Sequence, residues 1–155
     1  MHIRLFHPDD APALRTVFHS SVYQLARSHY SAAQLQAWAP AEYDAAQWAE
    51  RLRANRPFVA EVDGSIAGFA DLQPSGYIDQ FFVAGTYAGH GVGRALMARI
   101  HQAAAQANLP RLWAYVSLSA EPFFIRSGFA VEARQQMEVR SVVLANACMG
   151  KLLLV

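Results

Sequence analysis

The sequence reads as an α/β protein of the α+β kind: a mixed, mostly antiparallel central sheet flanked by helices, with one strand–glycine loop–helix–strand unit inside it. Three stretches predict this. "FVAEVDGSIAGFA" alternates around Asp63-Gly64, a dipeptide suited to a two-residue hairpin turn. "YAGHGVGRALM" sets glycines at 89, 91 and 93 directly ahead of a helical pattern. Beyond Gly128 the chain returns to strand-like alternation on both sides of Ser141.

Taken in order, "IRLF" is a short strand. In "HPDDAPALRTVFHSSVYQLARSHY", Leu14, Val17, Phe18, Val22 and Leu25 recur at helical spacing, and Asp9 stands where a cap is needed. Ser31 precedes Gln34, and Asp44 precedes Gln47, by the spacing of a capping box, so "SAAQLQAW" and "DAAQWAERLRA" are two further short helices. The hairpin follows, and then "GYIDQFFVA" as a third strand between Pro74-Ser75-Gly76 and Gly85. Val92, Leu96, Ile100 and the alanines beyond them form one helix that ends near Asn108-Leu109-Pro110. "RLWAYVSL" is a strand, "SAEPFFIRSGF" a short helix stopped by Gly128, and the tail two more strands.

The 155 residues have the length expected of a single domain, and 54% apolar residues are enough for a packed core. Thirteen basic against twelve acidic residues provide no field for a nucleic acid or an acidic membrane surface. Cys148 stands alone, which excludes an internal disulfide and a thiolate metal cluster; in its apolar segment it suits a small buried hydrophobe. None of the six histidines has ligand spacing with another, so no metal is expected. "MHIRLFHPDD" lacks the pattern of a signal peptide and no stretch of about twenty apolar residues occurs, so a cytoplasmic location is expected. The tail "VVLANACMGKLLLV" either completes the sheet or contributes to a homodimer.

Glycines where a helix begins cost stability, roughly 1 kcal/mol each relative to alanine inside a helix. A strand, a glycine loop and a helix start together make an anion site, because the first amides of the helix point outward and missing side chains let a phosphate approach. A P-loop would need lysine and a hydroxyl where this chain has Gly93-Arg94-Ala95. A dinucleotide fingerprint would need glycine at 94 or 96, occupied here by arginine and leucine.

"VAGTYAGHGVGRALM" resembles the acyl-CoA pyrophosphate loop of the GNAT superfamily of N-acetyltransferases, and "SLSAEPFFIRSGF" resembles that family's second motif, in order and at the right distance. "SHYSAAQLQAW", "YIDQFFV" and "EPFF" are similar to a bacterial branch of the same family. The chain departs from the pattern at three positions: Ala88 replaces a glutamine or arginine, Phe124 a tyrosine that often protonates the departing thiolate, and Ser117 an asparagine.

The resemblance implies transfer of an acetyl group from acetyl-CoA, a cosubstrate, to a small-molecule or peptide amine. It implies a V where the strand at 77–83 splays from that at 111–117, with the pantetheine arm paired along Phe81, Phe82 and Val83. Ala88, Gly89, His90, Gly91, Val92, Gly93 and Arg94 would hold the pyrophosphate, with Ser117 and Phe124 beside the arm. Period-two alternation sets Tyr77, Asp79, Phe81 and Val83 on one face. A carboxylate among aromatics has a raised pKa, which makes Asp79 the candidate base; the competing reading is a strand carboxylate in an ion pair. Tyr115, Tyr30 or solvent are left to supply the acid. His29, Tyr30 and Trp38 on the early helices are the candidate acceptor-site residues. A non-catalytic acyl-CoA-binding module is the alternative, kept open by Ala88 and Phe124.

Overall fold

The computed structural model describes residues 1–153. The strands β1 (His2–Leu5), β2 (Phe58–Val62), β3 (Ser65–Ala70) and β5 (Phe81–Val83) form an antiparallel sheet in the order β1-β2-β3-β5. The strands β4 (Tyr77–Ile78), β6 (Arg111–Ser117), β7 (Ala130–Val139) and β8 (Val142–Leu152) form a second sheet in the order β4-β6-β8-β7, in which β4 and β6 run parallel. Helices α1 (Ala11–Leu25), α2 (Ala32–Trp38) and α3 (Ala45–Asn55) precede the β2–β3 hairpin, α4 (Val92–Gln106) follows the glycine loop, and α5 (Glu121–Arg126) follows β6.

Two apolar clusters lie against the sheets. Leu96 and Ile100 of α4 pack with Ala60, Leu112 and Met149, while Leu14, Val22 and Leu52 of the early helices pack with Val59 and Phe69. Each fully buried leucine contributes about 1.5–3 kcal/mol relative to exposure. β8 lies between β6 and β7, so the apolar tail through Leu152 completes the sheet, and Cys148 is half-buried in it. No helix among the described residues is long and apolar enough to cross a membrane.

Ser31 and Asp44 cap as their spacing predicts: each accepts the backbone N–H three residues on, at 3.2 and 3.0 Å. The start of α1 differs from expectation. Asp9 caps nothing; His7 accepts the Asp9 N–H at 3.1 Å and caps a single turn at Pro8–Asp10 that leads into α1. Asp10, not Asp9, is the structural carboxylate there, because Arg4 pairs with it at 2.8 Å while it accepts the His7 N–H at 2.7 Å.

The larger departure is the third strand, which divides at Asp79-Gln80. β4 pairs with β6, then β5 pairs with β3 instead. The expected single face of Tyr77, Asp79, Phe81 and Val83 is therefore split: Ile78, Phe81 and Val83 join the α4 cluster, whereas Phe82 joins the cluster under α1. Gly76 tightens the turn before β4; at φ +85° it lies so close to Arg111 that a Cβ would come within 2.0 Å of its carbonyl oxygen.

Candidate active site

The division of the strand has an identifiable cause. Asp71, fully buried at the end of β3, accepts the backbone N–H groups of Asp79 at 2.9 Å and Gln80 at 2.8 Å, and the Gln73 amide at 2.9 Å. Those two amides are thereby removed from any strand ladder, and β5 swings away from β6. Burial pushes the Asp71 carboxyl up to about 6, against the pull of these donors. The result is a V between Phe81–Val83 and the end of β6, with an unpaired edge on β5.

On the α4 side of the V lies a cavity of about 740 Å³, lined by the glycine loop and the first turns of α4. Gly89 and Gly91 have φ of +78° and +80°, with open space where a Cβ would stand. Gly91 is the N-cap of α4 and no side chain caps that helix, so its first amides remain available to an anion. Arg94, Arg126 and Lys151 line the same cavity, and among the described residues no carboxylate does. Lys151 lies 2.8 Å from His101 Nε2 and donates to the Ser127 carbonyl at 2.9 Å. Gly93 serves a different end: its missing Cβ makes room for the Phe123 ring, 3.3 Å from where that atom would be. His90 is exposed, its ring turned back to the Ala88 carbonyl at 3.0 Å. Ala88, Gly89 and residues 91–94 line a cradle suited to a pyrophosphate, while the expected His90 does not, its N–H going to the Tyr87 carbonyl at 3.2 Å; two cations that sequence reasoning missed, Arg126 and Lys151, reinforce the cradle.

A smaller, mostly apolar cavity of about 200 Å³ lies in the V, lined by Val22, Leu25, Phe81, Val83, Phe123 and Phe124 together with Ser117 and Trp38. Phe124 is buried against Phe81 and Phe129, and it brings no hydroxyl to the V. Ser117 accepts the Ala120 N–H at 3.2 Å and so helps start α5.

A third cavity, about 340 Å³, opens on the other side of the V beneath α1–α3 and the β7–β8 turn; Phe82, Trp38 and Ser117 line both it and the apolar cavity. Trp38 stands edge-on to Tyr30 with ring centres 5.6 Å apart. Tyr30 is buried, its hydroxyl donating to the Ala145 carbonyl at 2.6 Å and accepting the Leu118 N–H at 3.0 Å. It lines the cavity but its polar atom ties α2's approach to β8, and burial raises its pKa. His29 lies outside these cavities, exposed, with Ser119 at 2.9 Å.

Asp79 lines the third cavity in a setting opposite to the one its aromatic neighbours suggest. Arg51 donates to both its oxygens at 3.0 and 3.1 Å, Asn55 at 2.7 Å and the Tyr77 hydroxyl at 3.3 Å. These donors fill the lone-pair positions of a carboxylate. Burial pushes its pKa up, but Arg51, Asn55 and Tyr77 outweigh it and hold the group below the ordinary carboxylate value. The expected raised pKa is corrected accordingly: Asp79 is an ionised carboxylate in an ion pair. Tyr77 in turn is pushed up to about 12 by burial and by that carboxylate. Among the described residues no cluster of three or more metal-ligating side chains occurs.

A split sheet that opens a V between a helix-start phosphate cradle and a second cavity defines an acyl-CoA-dependent acyltransferase architecture. The chain belongs to the GNAT family of acetyltransferases, whose domain model matches residues 26–145. It is 31% identical over 146 residues to the uncharacterised N-acetyltransferase YafP of Escherichia coli (strain K12), covering 94% of this chain and 92% of that one. A GCN5-related N-acetyltransferase from Rhodopseudomonas palustris has the same fold with a TM-score of 0.94 at 32% identity, covering 98% of this chain and 95% of the other. PaiA N-acetyltransferase of Thermoplasma acidophilum, solved with coenzyme A, has a TM-score of 0.76 at 17% identity over 99% of this chain and all of its own, a likeness of fold.

Proposed function

We propose that this chain, acting as one domain in the cytoplasm, transfers an acetyl group from acetyl-CoA to a primary amine by direct attack. The observation that carries this is the meeting of two cavities at the V, with Ser117, Trp38 and Phe82 lining both. The amides that begin α4, together with Arg94, Arg126 and Lys151, bind the phosphates. The free edge of Phe81–Val83 aligns the pantetheine arm in the manner of an added strand, and Phe123 and Phe124 exclude water from it. Acetyl-CoA supplies a thioester carbonyl; the amine nitrogen bonds to that carbon as the C–S bond breaks, and CoA leaves as the thiol after gaining a proton.

Asp79 is proposed as a positioning residue that holds Arg51 at the acceptor cavity, and the amine's proton leaves to solvent through that open cavity. Cys148 is no nucleophile in this reading, since it lies on β8 near Glu132 and lines none of the three cavities.

Initial rates of thiol release across a panel of primary amines test the proposal. Direct attack gives intersecting double-reciprocal lines, no acetylated protein in the intact mass, and full activity in Cys148→Ser. The saturated Asp79 and the missing Phe124 hydroxyl favour the second reading, a non-catalytic acyl-CoA-binding module; acetyl-CoA binding without turnover of any amine establishes that reading instead.

A further inference from the structure

The acceptor cavity carries positive charge that the reaction above does not use. Its charged lining is Arg15, Arg51, Arg140 and Asp79. Arg51 is neutralised by Asp79. Among the described residues no carboxylate pairs with Arg15 or Arg140 within 4.0 Å. The nearest acidic side chains of the adjoining surface cleft, Asp44 and Glu50, are engaged elsewhere: Asp44 accepts the Gln47 N–H at 3.0 Å and Glu50 pairs with Arg53 at 2.9 Å.

The two free guanidiniums are held, not loose. Arg15, half-buried on α1, lies over the Tyr43 ring at 4.1 Å and within 5.0 Å of the Phe18 and Trp48 ring centres, and donates to the Pro40 carbonyl at 2.8 Å. Stacking fixes a guanidinium plane while leaving its in-plane donors free for a planar anion. Arg140, in the left-handed β7–β8 turn at φ +48°, donates to the Ala37 carbonyl at 2.6 Å, which pins it over the same cavity. Burial lowers the Arg15 pKa, Tyr43 opposes that, and the like charge of Arg140 adds to it. The same cavity is lined by the aromatic side chains of Trp38, Trp48 and Phe82.

We infer that the acceptor amine bears a free carboxylate bound by Arg15 and Arg140, on an aromatic or large apolar body packed against Trp38, Trp48 and Phe82: a free amino acid of that class. The inference rests on the acetyltransferase reading. It also accounts for Asp79, since a cavity built for a net anion has its one carboxylate neutralised by Arg51.

The test uses matched pairs: phenylalanine with phenethylamine, tryptophan with tryptamine, leucine with isoamylamine. In thiol release with acetyl-CoA, at least one amino acid is expected to exceed its decarboxylated partner in kcat/KM by about tenfold or more, the effect of charge-assisted hydrogen bonds to one anion. Arg140→Gln, an exposed turn substitution, is expected to shrink that ratio toward one. Arg15→Gln is expected to shrink it further, and Arg15→Lys to restore part of it.

A second readout needs no turnover: quenching of tryptophan fluorescence on titrating each probe into the CoA-saturated protein. Amino acid binding that weakens about tenfold in Arg140→Gln, with no turnover of any amine, upholds the carboxylate site while the transferase reading fails. Turnover with no carboxylate preference in any pair, or equal losses for both members in the variants, overturns the inference and leaves the transferase standing. Preference for an aminophosphonate over the matching amino acid by about tenfold also overturns it, in favour of a tetrahedral anion.

Discussion

The two sides of the V are built by different means. The glycine-loop side presents main chain: the amides at the start of α4, glycines at φ +78° and +80°, and a ring of cations with no carboxylate among its described lining. The opposite side is lined by residues of α1, α2 and α3, of the strands β5 to β8 and of the β7–β8 turn, far apart in the chain. A backbone cradle tolerates changes of side chain around it but fails when a Cβ is added where none fits. A side-chain pocket behaves in the reverse way: on the proposed function, substitutions at its exposed side chains alter which acceptor is taken, whereas those at Phe18, Trp48 and Leu144 also reach the core.

That contrast can be broken at several points. The largest expected effect is at Gly91, where valine is strained at φ +80° and its side chain enters the cradle. Strain of about 1–2 kcal/mol, together with lost charge-assisted hydrogen bonds, predicts a fall in acetyl-CoA affinity of about 100-fold or more by calorimetry.

Asp71, which holds the V open, comes next. In the folded chain its pKa is about 6, against an ordinary carboxylate value of 3.8. Between those values the folded state keeps a proton that the unfolded state has released, so stability falls as pH rises through this window. The loss approaches about 3 kcal/mol above pH ~6. Denaturant melts of wild type and Asp71→Asn at pH 4 and pH 7 should differ by a slope of this sign, absent in the variant.

Replacing both Arg126 and Lys151 by glutamine should weaken acetyl-CoA binding by about tenfold at low salt and flatten its salt dependence. The smallest effect belongs to Gly93→Ala. Alanine gains helix propensity, the Phe123 ring must yield by a few tenths of an ångström, and stability should change by less than about 1 kcal/mol in thermal melts.

The same contrast explains what the sequence could disclose. A main-chain cradle leaves a local trace, and "AGHGVGR" carries it within seven residues. Arg126 and Lys151 complete the cradle from positions far along the chain, and nothing local marks them. The order of strands and helices was legible from turns, caps and periodicity, but the division at Asp79-Gln80 was not. "YIDQFFV" reads as one strand between its flanking turns, and it divides because Asp71, eight residues earlier, takes the Asp79 amide. A carboxylate closing the apolar run "AGFAD" was the available signal. Asp79 was visible as a residue, while the α3 partners that fix its charge, Arg51 and Asn55, were not. Of the early-helix residues, Trp38 and Tyr30 line the cavity proposed for the acceptor, whereas Arg15 and Arg140 carry its net charge and became visible only once α1 and the β7–β8 turn were brought together.

The most direct measurement is calorimetric titration of the purified protein with acetyl-CoA, wild type beside Gly91→Val. Binding in the micromolar range, lost in a variant that still folds, is the predicted result for a main-chain cradle. A folded wild-type protein that binds no acetyl-CoA, or a variant that binds it as well as wild type does, would contradict the account.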